Sequence, residues 1–485
     1  RGDGVGCRMK VYLIGVCGTA MATLAAMLRD RGHAVHGSDA HVYPPMSDFL
    51  AARGITCLDG FDEAHITSDI ELVVIGNAVS RGNPEVEAVL DRKLRYRSLP
   101  DMVRETFLWD RNSIVIAGTH GKTTTASLVS WVLADGGCDP SFLIGGLAGN
   151  FDSSYRLGEG RDFVIEGDEY DSAFFDKTAK FLKYLPDVAV VGNLEFDHAD
   201  IYADFEAIRL AVRRLVSLLP RGGSLILGAD SAAAMEMAEG APCPVTSFGL
   251  ASTADWRATD IETSPDGMTF GVEHRGARVS EVQVPLVGAF NVRNVLAAIA
   301  VAHGVGLDMH TVAATLARFK GVKRRLEVRG RARGVTVFDD FAHHPTAVRE
   351  TLAGVRAAFP LRKIWAVFEP RSATACRRVF QAEFAAAFHQ ADEVIVGPVY
   401  RSSLPDDERL SESELVDGIR RTGPRARHFA DVADIVRAVA ADAGEGDQVV
   451  VMSNGAFGGI HQRLLDALSA PETPADGGGG GVAPV

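Results

Sequence analysis

Short apolar, β-prone runs recur along the chain, and most of them lead through a turn into a segment with helical periodicity. The segments that contain these runs are residues 10–14, 33–39, 71–77, 114–116, 163–165, 187–200, 335–348, 363–374, 392–400 and 448–460. Strands that alternate with helices in this way are typical of α/β proteins with parallel sheets. Residues 241–285 change to short alternating runs and turns, which predicts a β-rich segment.

The length of 485 residues suggests three domains, because one domain commonly spans about 150 residues. We predict a Rossmann-like N-terminal domain over residues 9–108, a central domain over 109–322 and a Rossmann-like C-terminal domain over 323–470. The glycine-rich sequence GTHGKTTT after an apolar strand predicts that the central domain is a P-loop ATPase domain. Residues 471–485 are rich in glycine and proline and are expected to be disordered. Residues 1–8 carry no periodic pattern.

Residues 113–125 have the features of a phosphate-binding loop. An apolar strand meets Gly118, and a short loop ends at Gly121, just before a helix-forming run. The glycines allow a sharp turn, and the helix N-terminus favours an anion. Lys122 is placed to reach the β- and γ-phosphates of ATP, and Thr123 to ligate Mg²⁺. A glycine-rich turn with a solvated lysine would not explain the Lys-Thr-Thr sequence at a helix start.

Carboxylates follow the apolar runs of the central domain. Glu166 stands at the end of one strand, and a carboxylate beside a phosphate loop is a candidate Mg²⁺ ligand. Asp168, Glu169 and Asp171 follow it, and each by itself is better explained as part of an exposed acidic turn. His198 lies in the segment that follows the next apolar run, where a structural role and a ligand or charge-stabilising role are equally consistent with its position.

The N-terminal domain begins with a βαβ pattern of dinucleotide-binding type. Gly15 and Gly18 follow the first strand, but Met21 stands where a third glycine is usual. NAD, another phosphorylated ligand and a tight turn without a ligand all fit this degraded fingerprint, and another phosphorylated ligand is favoured over NAD. Asp39, at the end of the second strand, is placed either to accept a sugar hydroxyl or to be solvated.

Further polar groups lie near the predicted boundary between the central and C-terminal domains. Asn291 and Asn294 are three residues apart at the start of a predicted helix and therefore share one face. Helix capping explains one of them but not both. Residues 321–335 form the most basic stretch of the chain, which is either a solvated charge run or part of a site. The next strand ends in an acidic pair that includes Asp340.

Composition and charge narrow the classes of partner. The formal net charge of −13 argues against non-specific binding of nucleic acid or of an anionic membrane. An anionic substrate must therefore be held by local basic groups or backbone N–H groups. The six scattered cysteines form no C-x-x-C pair and indicate no metal or disulfide framework. Without an apolar run of about 20 residues or a signal peptide, a cytoplasmic protein is expected.

One phosphate loop among three α/β units predicts an enzyme that uses ATP to bring two other ligands together. From Met9 to about Leu468 the chain resembles the Mur ligase family of ATP-dependent amide-bond-forming enzymes. The resemblance rests on GTHGKTTT, EGDEYDSAFF, NLEFDHADIY, NVRN, the arginines at 324 and 325, and DDFAHHPT, which occur in the family's order.

The resemblance implies a role for each motif. The implied ATP contacts are Gly118, Thr119, His120, Gly121, Lys122, Thr123, Thr124, Asn291, Asn294, Arg325, Asp340 and His343. The implied catalytic residues are Lys122, Glu166, His198, Asn291, Asn294, Arg325 and Asp340. Mg²⁺ would be held by Thr123, Glu166 and His198. The UDP part of a substrate would be held by Gly15, Gly18, Thr19, Met21, Ser38 and Asp39.

The resemblance also implies a substrate. Residues 38–50, 77–90, 168–177, 368–372 and 451–462 are similar to the branch of the family that recycles cell-wall peptides. This implies that a monomer or weak homodimer joins L-alanyl-γ-D-glutamyl-meso-diaminopimelate to UDP-N-acetylmuramate through an acyl phosphate. The alternative within the family is addition of free L-alanine to UDP-N-acetylmuramate in de novo synthesis.

Two positions depart from the family pattern. Val212 stands where several members carry a modified lysine, so no carbamylated lysine is predicted. Phe290 replaces a histidine that many members have before the first asparagine. Outside the family, a nicotinamide-dependent oxidoreductase would use the N-terminal βαβ unit but would leave the phosphate loop and Glu166 unexplained. A non-catalytic ATP-binding regulatory module is the third alternative.

Overall fold

The chain divides into two units between Lys323 and Arg324. The computed structural model describes residues 8–40, 42, 46–197, 201–400 and 404–470. Both units combine helices with largely parallel sheets, which confirms the predicted α/β class. The division of the first unit at residues 108 and 109 stays a prediction, and the expected disordered tail lies outside the described residues.

The first unit begins with a five-stranded parallel sheet. Its strands are β1 (Lys10–Ile14), β2 (Ala34–Asp39), β3 (Thr56–Asp59), β4 (Leu72–Ile75) and β5 (Tyr96–Ser98), and its helices are α1 (Thr19–Asp30), α2 (Met46–Ala51), α3 (Pro84–Asp91) and α4 (Leu99–Val103). The strand order is β3-β2-β1-β4-β5. The order reverses at β1, so the loop after β1 faces the crevice in which doubly wound sheets bind their ligands.

The remainder of the first unit is organised by a ten-stranded sheet with a two-stranded hairpin. Its strands are β6 (Asn112–Ala117), β7 (Ser141–Ala148), β8 (Ser153–Arg156), β9 (Asp162–Glu166), β10 (Asp171–Ala173), β11 (Asp176–Ala179), β12 (Val188–Val191), β13 (Ser224–Gly228), β14 (Val245–Gly249), β15 (Trp256–Ser264), β16 (Gly267–His274) and β17 (Ala277–Val284). Its helices are α5 (Lys122–Asp135), α6 (Phe205–Ser217), α7 (Ala232–Met235), α8 (Ala289–Val305) and α9 (Met309–Leu316). The large sheet has the order β17-β16-β15-β14-β13-β12-β6-β9-β7-β8, and β10 pairs with β11.

The centre of the large sheet is parallel, and β7 pairs with β8 antiparallel at one edge. The antiparallel strands β15–β17 at the other edge confirm the β-rich segment predicted from the sequence. Helices α5 and α8 are buried on most sides, because they pack on each other and on this sheet. Their sequences accordingly lack a continuous polar face.

The second unit is a six-stranded sheet with helices. Its strands are β18 (Glu327–Ala332), β19 (Val335–Asp340), β20 (Ile364–Phe368), β21 (Glu393–Val396), β22 (Arg425–His428) and β23 (Gln448–Met452), and its helices are α10 (Pro345–Ala358), α11 (Gln381–Ala387), α12 (Glu412–Thr422), α13 (Val432–Asp442) and α14 (Ile460–Ser469). The strand order is β18-β19-β23-β20-β21-β22, parallel except for the antiparallel edge strand β18. Every residue of β19, β20 and β23 is buried, as expected for strands covered on both faces.

Among the described residues, no helix is long and apolar enough to cross a bilayer. The five cysteines in those ranges are free thiols. The sulfur atoms of Cys17 and Cys57 lie 3.5 Å apart, and burial raises the pKa of Cys57 to about 12. The Cys57 thiol is therefore protonated at neutral pH.

A close backbone approach at Gly228 generates a stability prediction. A Cβ atom at Gly228 would lie 1.9 Å from the carbonyl oxygen of Gly192, at the carboxyl ends of β13 and β12. We expect Gly228→Ala to destabilise the fold by about 3 kcal/mol, because the two strands would have to separate. Gly222→Ala is the matched control, since a Cβ there meets nothing within 4 Å. Equal unfolding midpoints of the two variants in urea would contradict the prediction.

Candidate active site

The loop between β6 and α5 has the backbone geometry of an anion-binding turn. Gly118 and Gly121 have φ angles of 126° and 82°, which disfavour other residues. A Cβ atom at Gly121 would lie 2.5 Å from Oδ1 of Asn294, so the start of α8 closes over the loop. Helix α5 begins at Lys122 without a side-chain cap. Its first N–H groups are therefore available to an anion.

The segment that follows β12 holds the middle of this loop in place. The backbone N–H of Thr119 donates to the carbonyl of Asn193 at 2.9 Å, and that of His120 donates to Oδ1 of Asn193 at 2.8 Å. Glu195 N donates to the Thr119 hydroxyl at 2.9 Å, and Glu195 Oε2 lies 3.3 Å from Nε2 of His120. Sequence reasoning did not assign a role to Asn193 or Glu195, although both stand in the NLEFDHADIY motif that carries the family resemblance.

The Lys122 side chain is only 13% exposed, and its ammonium group is held at the base of the loop. Its Nζ donates to the carbonyls of Gly118 at 2.7 Å and Thr119 at 3.1 Å, and to Oε1 of Glu169 at 2.9 Å. Burial alone would lower the pKa of Lys122, but the nearby carboxylates, Glu169 first and then Glu166, outweigh it and raise the pKa. Lys122 is therefore charged at neutral pH.

The expectation that Glu169 belongs to an exposed acidic turn was wrong. Glu169 is buried, because its carboxylate pairs with the buried Lys122, and side chains of both residues are less than 15% exposed. The exposed-turn interpretation describes its neighbours better. Asp168 accepts from Nζ of Lys180 at 2.6 Å, and Asp171 accepts from Nζ of Lys177 at 2.5 Å.

Glu166 lies beside the phosphate loop because β9 pairs in parallel with β6. Its Oε1 accepts from the Thr123 hydroxyl at 2.9 Å, and its Oε2 accepts from the N–H of Gly145 at 2.8 Å. A carboxylate and a hydroxyl at this separation form a set of hard oxygen donors, which is the chemistry that Mg²⁺ prefers. His198 lies outside the described residues.

Asn291 and Asn294 face the loop from α8, and neither of them caps the helix. The cap position is Gly288, which contradicts the interpretation of one asparagine as an N-cap. Nδ2 of Asn294 donates to Oδ1 of Asn291 at 3.1 Å, and Oδ1 of Asn294 accepts from the Thr125 hydroxyl at 3.1 Å. Nδ2 of Asn291 donates to a backbone carbonyl of the preceding turn at 2.9 Å. The pair therefore links α8 to α5 beside the phosphate loop.

A second uncapped helix start follows β1. Gly15 has a φ angle of 83°, and its N–H donates to the carbonyl of Ser38 at 2.9 Å. The Asp39 carboxylate accepts from the N–H of Cys17 at 2.8 Å, so it braces the turn. Gly18 and Thr19 are exposed at the start of α1, whereas Met21 packs in the core.

The Ser38 hydroxyl belongs to a buried polar network that the sequence did not reveal. It donates to Oε2 of Glu85 at 2.5 Å. The other Glu85 oxygen accepts from the Tyr12 hydroxyl at 2.9 Å and lies 2.7 Å from Nδ1 of His65. Burial raises the pKa of Tyr12, so its hydroxyl remains a donor at neutral pH. Glu85 joins β1, β2 and α3 beneath the turn.

In the second unit, the Asp340 carboxylate is buried at the end of β19. It accepts from the N–H of Leu326 at 2.7 Å and from that of Ala342 at 2.8 Å. Burial raises its pKa, and the nearby Arg325 opposes this effect. The guanidinium group of Arg325 lies 4.9 Å from the Phe341 ring centroid, and Nδ1 of His343 lies 2.9 Å from the Phe341 carbonyl. Arg325, which precedes β18, thus lies close to Asp340 and to the loop after β19 that carries His343.

Comparison of the chain with known protein families gives a result that agrees with its fold and with the uncapped starts of α1 and α5. The Mur ligase family catalytic domain matches residues 10–108, the Mur ligase middle domain matches 116–302, and the Mur ligase glutamate ligase domain matches 324–455. The chain therefore belongs to the Mur ligase family, and it is an ATP-dependent ligase that forms amide bonds. The predicted three-domain organisation of α/β class is confirmed.

The chain is similar to particular members of this family. It is 42% identical over 463 residues to the UDP-N-acetylmuramate–L-alanyl-γ-D-glutamyl-meso-2,6-diaminoheptandioate ligase of Escherichia coli. The matched region covers 95% of this chain and 98% of that protein. It is 36% identical over 467 residues to the UDP-N-acetylmuramate–L-alanine ligase of Rubrobacter xylanophilus, which covers 95% of this chain and 100% of that protein. The crystal structure of a murein peptide ligase from Psychrobacter arcticus matches with a TM-score of 0.70 and 37% identity, covering 96% of this chain and all of that one.

The buried pair of Lys122 and Glu169 predicts a large stability effect. We expect Lys122→Ala to destabilise the first unit by about 3–5 kcal/mol, because the variant leaves a buried carboxylate without its ammonium counter-charge. Adding Glu169→Gln should restore part of the lost stability, since it removes that charge. Chemical unfolding of the two single variants and the double variant measures this coupling. Additive effects of the two substitutions would contradict it.

Proposed function

We propose that the protein joins the tripeptide L-alanyl-γ-D-glutamyl-meso-diaminopimelate to UDP-N-acetylmuramate, with conversion of ATP into ADP and phosphate. The identity of 42% with the E. coli relative named for these substrates carries the proposal. A relative from Haemophilus influenzae with the same name is 40% identical over 460 residues. We place the reaction in peptidoglycan recycling in the cytoplasm, where ATP is available.

The proposed reaction has two chemical steps. A carboxylate oxygen of the muramate attacks the γ-phosphorus of ATP, and the bond from that phosphorus to the departing ADP oxygen breaks. The amine of the tripeptide's alanine then attacks the acyl phosphate carbon, loses a proton and expels phosphate. The protein's main contribution to such steps is positioning and neutralisation of negative charge.

The phosphate loop is proposed to bind ATP, with Lys122 as its main cation. In the structure this ammonium contacts Glu169 and two loop carbonyls, and it would exchange part of these contacts for phosphate oxygens. The other proposed ATP contacts are Gly118, Thr119, His120, Gly121, Thr123, Thr124, Asn291, Asn294, Arg325, Asp340 and His343. Of the backbone N–H groups in the loop, those of Thr119 and His120 already have partners within the protein, which supports an indirect role for these two residues.

Thr123 and Glu166 are proposed to hold Mg²⁺, with His198 as a further ligand. The first two offer a hydroxyl and a carboxylate whose oxygens lie 2.9 Å apart. The ion would supply positive charge close to the transferred phosphoryl group. The position of the ion would be set by the orientation of the Glu166 carboxylate, because the Gly145 N–H donates to its other oxygen and holds it in place.

The turn after β1 is proposed to bind the UDP part of the muramate substrate. Gly18 and Thr19 present an exposed, uncapped helix start, which suits a diphosphate. Gly15, Met21, Ser38 and Asp39 would support this turn from below, because their polar contacts and packing all lie within the protein. This arrangement accounts for the degraded dinucleotide fingerprint.

Phosphate release from ATP tests the proposed substrates. With UDP-N-acetylmuramate and Mg²⁺ present, we expect the tripeptide to stimulate release at least tenfold more than free L-alanine. Mass spectrometry should then detect the ligated product. Stronger stimulation by L-alanine would assign the protein to de novo synthesis instead.

The proposed metal ligand Glu166 gives a second prediction. We expect Glu166→Gln to lower kcat about 100-fold and to raise the Mg²⁺ concentration needed for half-maximal activity. Asp171→Asn is the matched control, because it removes a carboxylate from the same segment that already pairs with Lys177. Equal losses of activity in the two variants, or a loss explained by unfolding, would contradict the role of Glu166.

A further inference from the structure

A cleft in the first unit is lined by four arginines, although the protein as a whole is acidic. It has a volume of about 570 Å³. We call it the arginine cleft, and its charged lining residues are Arg31, Arg53, Arg111, Arg156, Asp30 and Glu159. Four cationic and two anionic side chains line the cleft, and Asp139 pairs with Arg156 from outside the lining, so one positive charge is in excess in a chain whose formal net charge is −13. The fold keeps these positively charged side chains close together although they repel one another.

Three of the arginines have no carboxylate counter-charge among the residues that the structure describes. Arg53 donates to the Tyr155 hydroxyl and to the Phe49 carbonyl, and Arg111 donates to the carbonyl of Gly160. The guanidinium group of Arg31 lies 5.5 Å from the centroid of the Phe107 ring. Most of their guanidinium N–H groups are therefore available to a ligand. Arg156 differs, because Asp139 pairs with it.

Side chains of the arginine cleft are also held in fixed orientations by contacts within the protein. The Arg53 guanidinium lies 3.8 Å from the Phe49 ring centroid, and the Tyr155 hydroxyl donates to Asp30 at 2.9 Å. Tyr155 is itself buried, so Arg53 and Asp30 are oriented from a fixed point. Pre-oriented guanidinium groups bind phosphoryl groups well, because less conformational freedom is lost on binding.

The arginine cleft lies at the opposite edge of the sheets from both helix starts described above. Arg111 immediately precedes β6, whereas the phosphate loop follows β6. Arg31 follows the C-terminus of α1, whereas Gly18 precedes its N-terminus. A strand of six residues spans about 20 Å, so a ligand in the cleft would not touch a nucleotide at the loop.

We propose that the arginine cleft binds a small phosphoryl anion, separate from ATP and from the UDP substrate. The three arginines without a carboxylate partner offer several N–H donors in a fork geometry, which suit the three oxygens of a phosphoryl group better than the two of a monocarboxylate. The volume is within the range of small-molecule sites. The ligand would bridge the N-terminal sheet, through Arg31 and Arg53, to the ten-stranded sheet, through Arg111 and Arg156.

Calorimetric titration of the full chain with pyrophosphate tests this site. We expect three binding sites, at the phosphate loop, at the turn after β1 and at the arginine cleft. The double variant Arg31→Gln with Arg111→Gln should lose one site or weaken it at least tenfold. Arg161→Gln is the matched control, because this neighbouring arginine is exposed, contacts Asp162 and does not line the cleft. Identical titrations of the wild type and the double variant would overturn the proposal.

Direct location of a bound anion makes the test independent of how the variants fold. Crystals soaked in selenate, a tetrahedral dianion, should show anomalous density within hydrogen-bond distance of Arg53 and Arg111. Density confined to the phosphate loop and the turn after β1 would overturn the proposal. Binding of citrate as tight as that of pyrophosphate, lost in the same double variant, would overturn the phosphoryl assignment by identifying a carboxylate site.

Discussion

A buried ammonium group at the start of α5 constrains the arrangement of everything around it. Lys122 is removed from water, so its charge must be balanced by carboxylates that approach from outside its own helix. Those carboxylates, Glu166 at the end of β9 and Glu169 after it, reach Lys122 because β9 pairs directly with β6. The central strand order, the polar strand ends and the glycines of the loop are therefore parts of one electrostatic arrangement.

The elements of the fold were largely predictable because the apolar runs and the turn residues point to the same structure. The predicted strand at 10–14 coincides with β1, and the helix expected near Thr123 begins at Lys122. Parallel sheets bury both faces of their strands, so each strand appears in the sequence as a nearly continuous run of apolar residues. Loops after such strands carry polar residues, so Lys122 and Glu166 were also found from the sequence.

Contacts that depend on tertiary pairing were not predictable. Glu169 has the sequence context of an exposed acidic turn, and only the position of Lys122 in space makes it a buried counter-charge. Glu85 lies in a helix far along the chain from Tyr12, and no local pattern indicates that the two meet. Burial of a charged group is decided by its partner, and a partner at a distant position leaves no periodic trace in the sequence.

Helix α1 joins two regions of the first unit that face opposite edges of its sheet. Its first turn forms part of the glycine turn after β1, and its last residue, Asp30, meets Tyr155 near β8. Twelve helical residues form a stiff rod about 18 Å long. Midway, the Thr23 hydroxyl lies 3.2 Å from that of Ser154, so the rod is in contact with the neighbouring sheet as well as its own. A small shift of α1 along its axis would therefore move both of its ends by the same distance. In this way α1 couples the position of the turn after β1 to the position of Asp30 beside Tyr155.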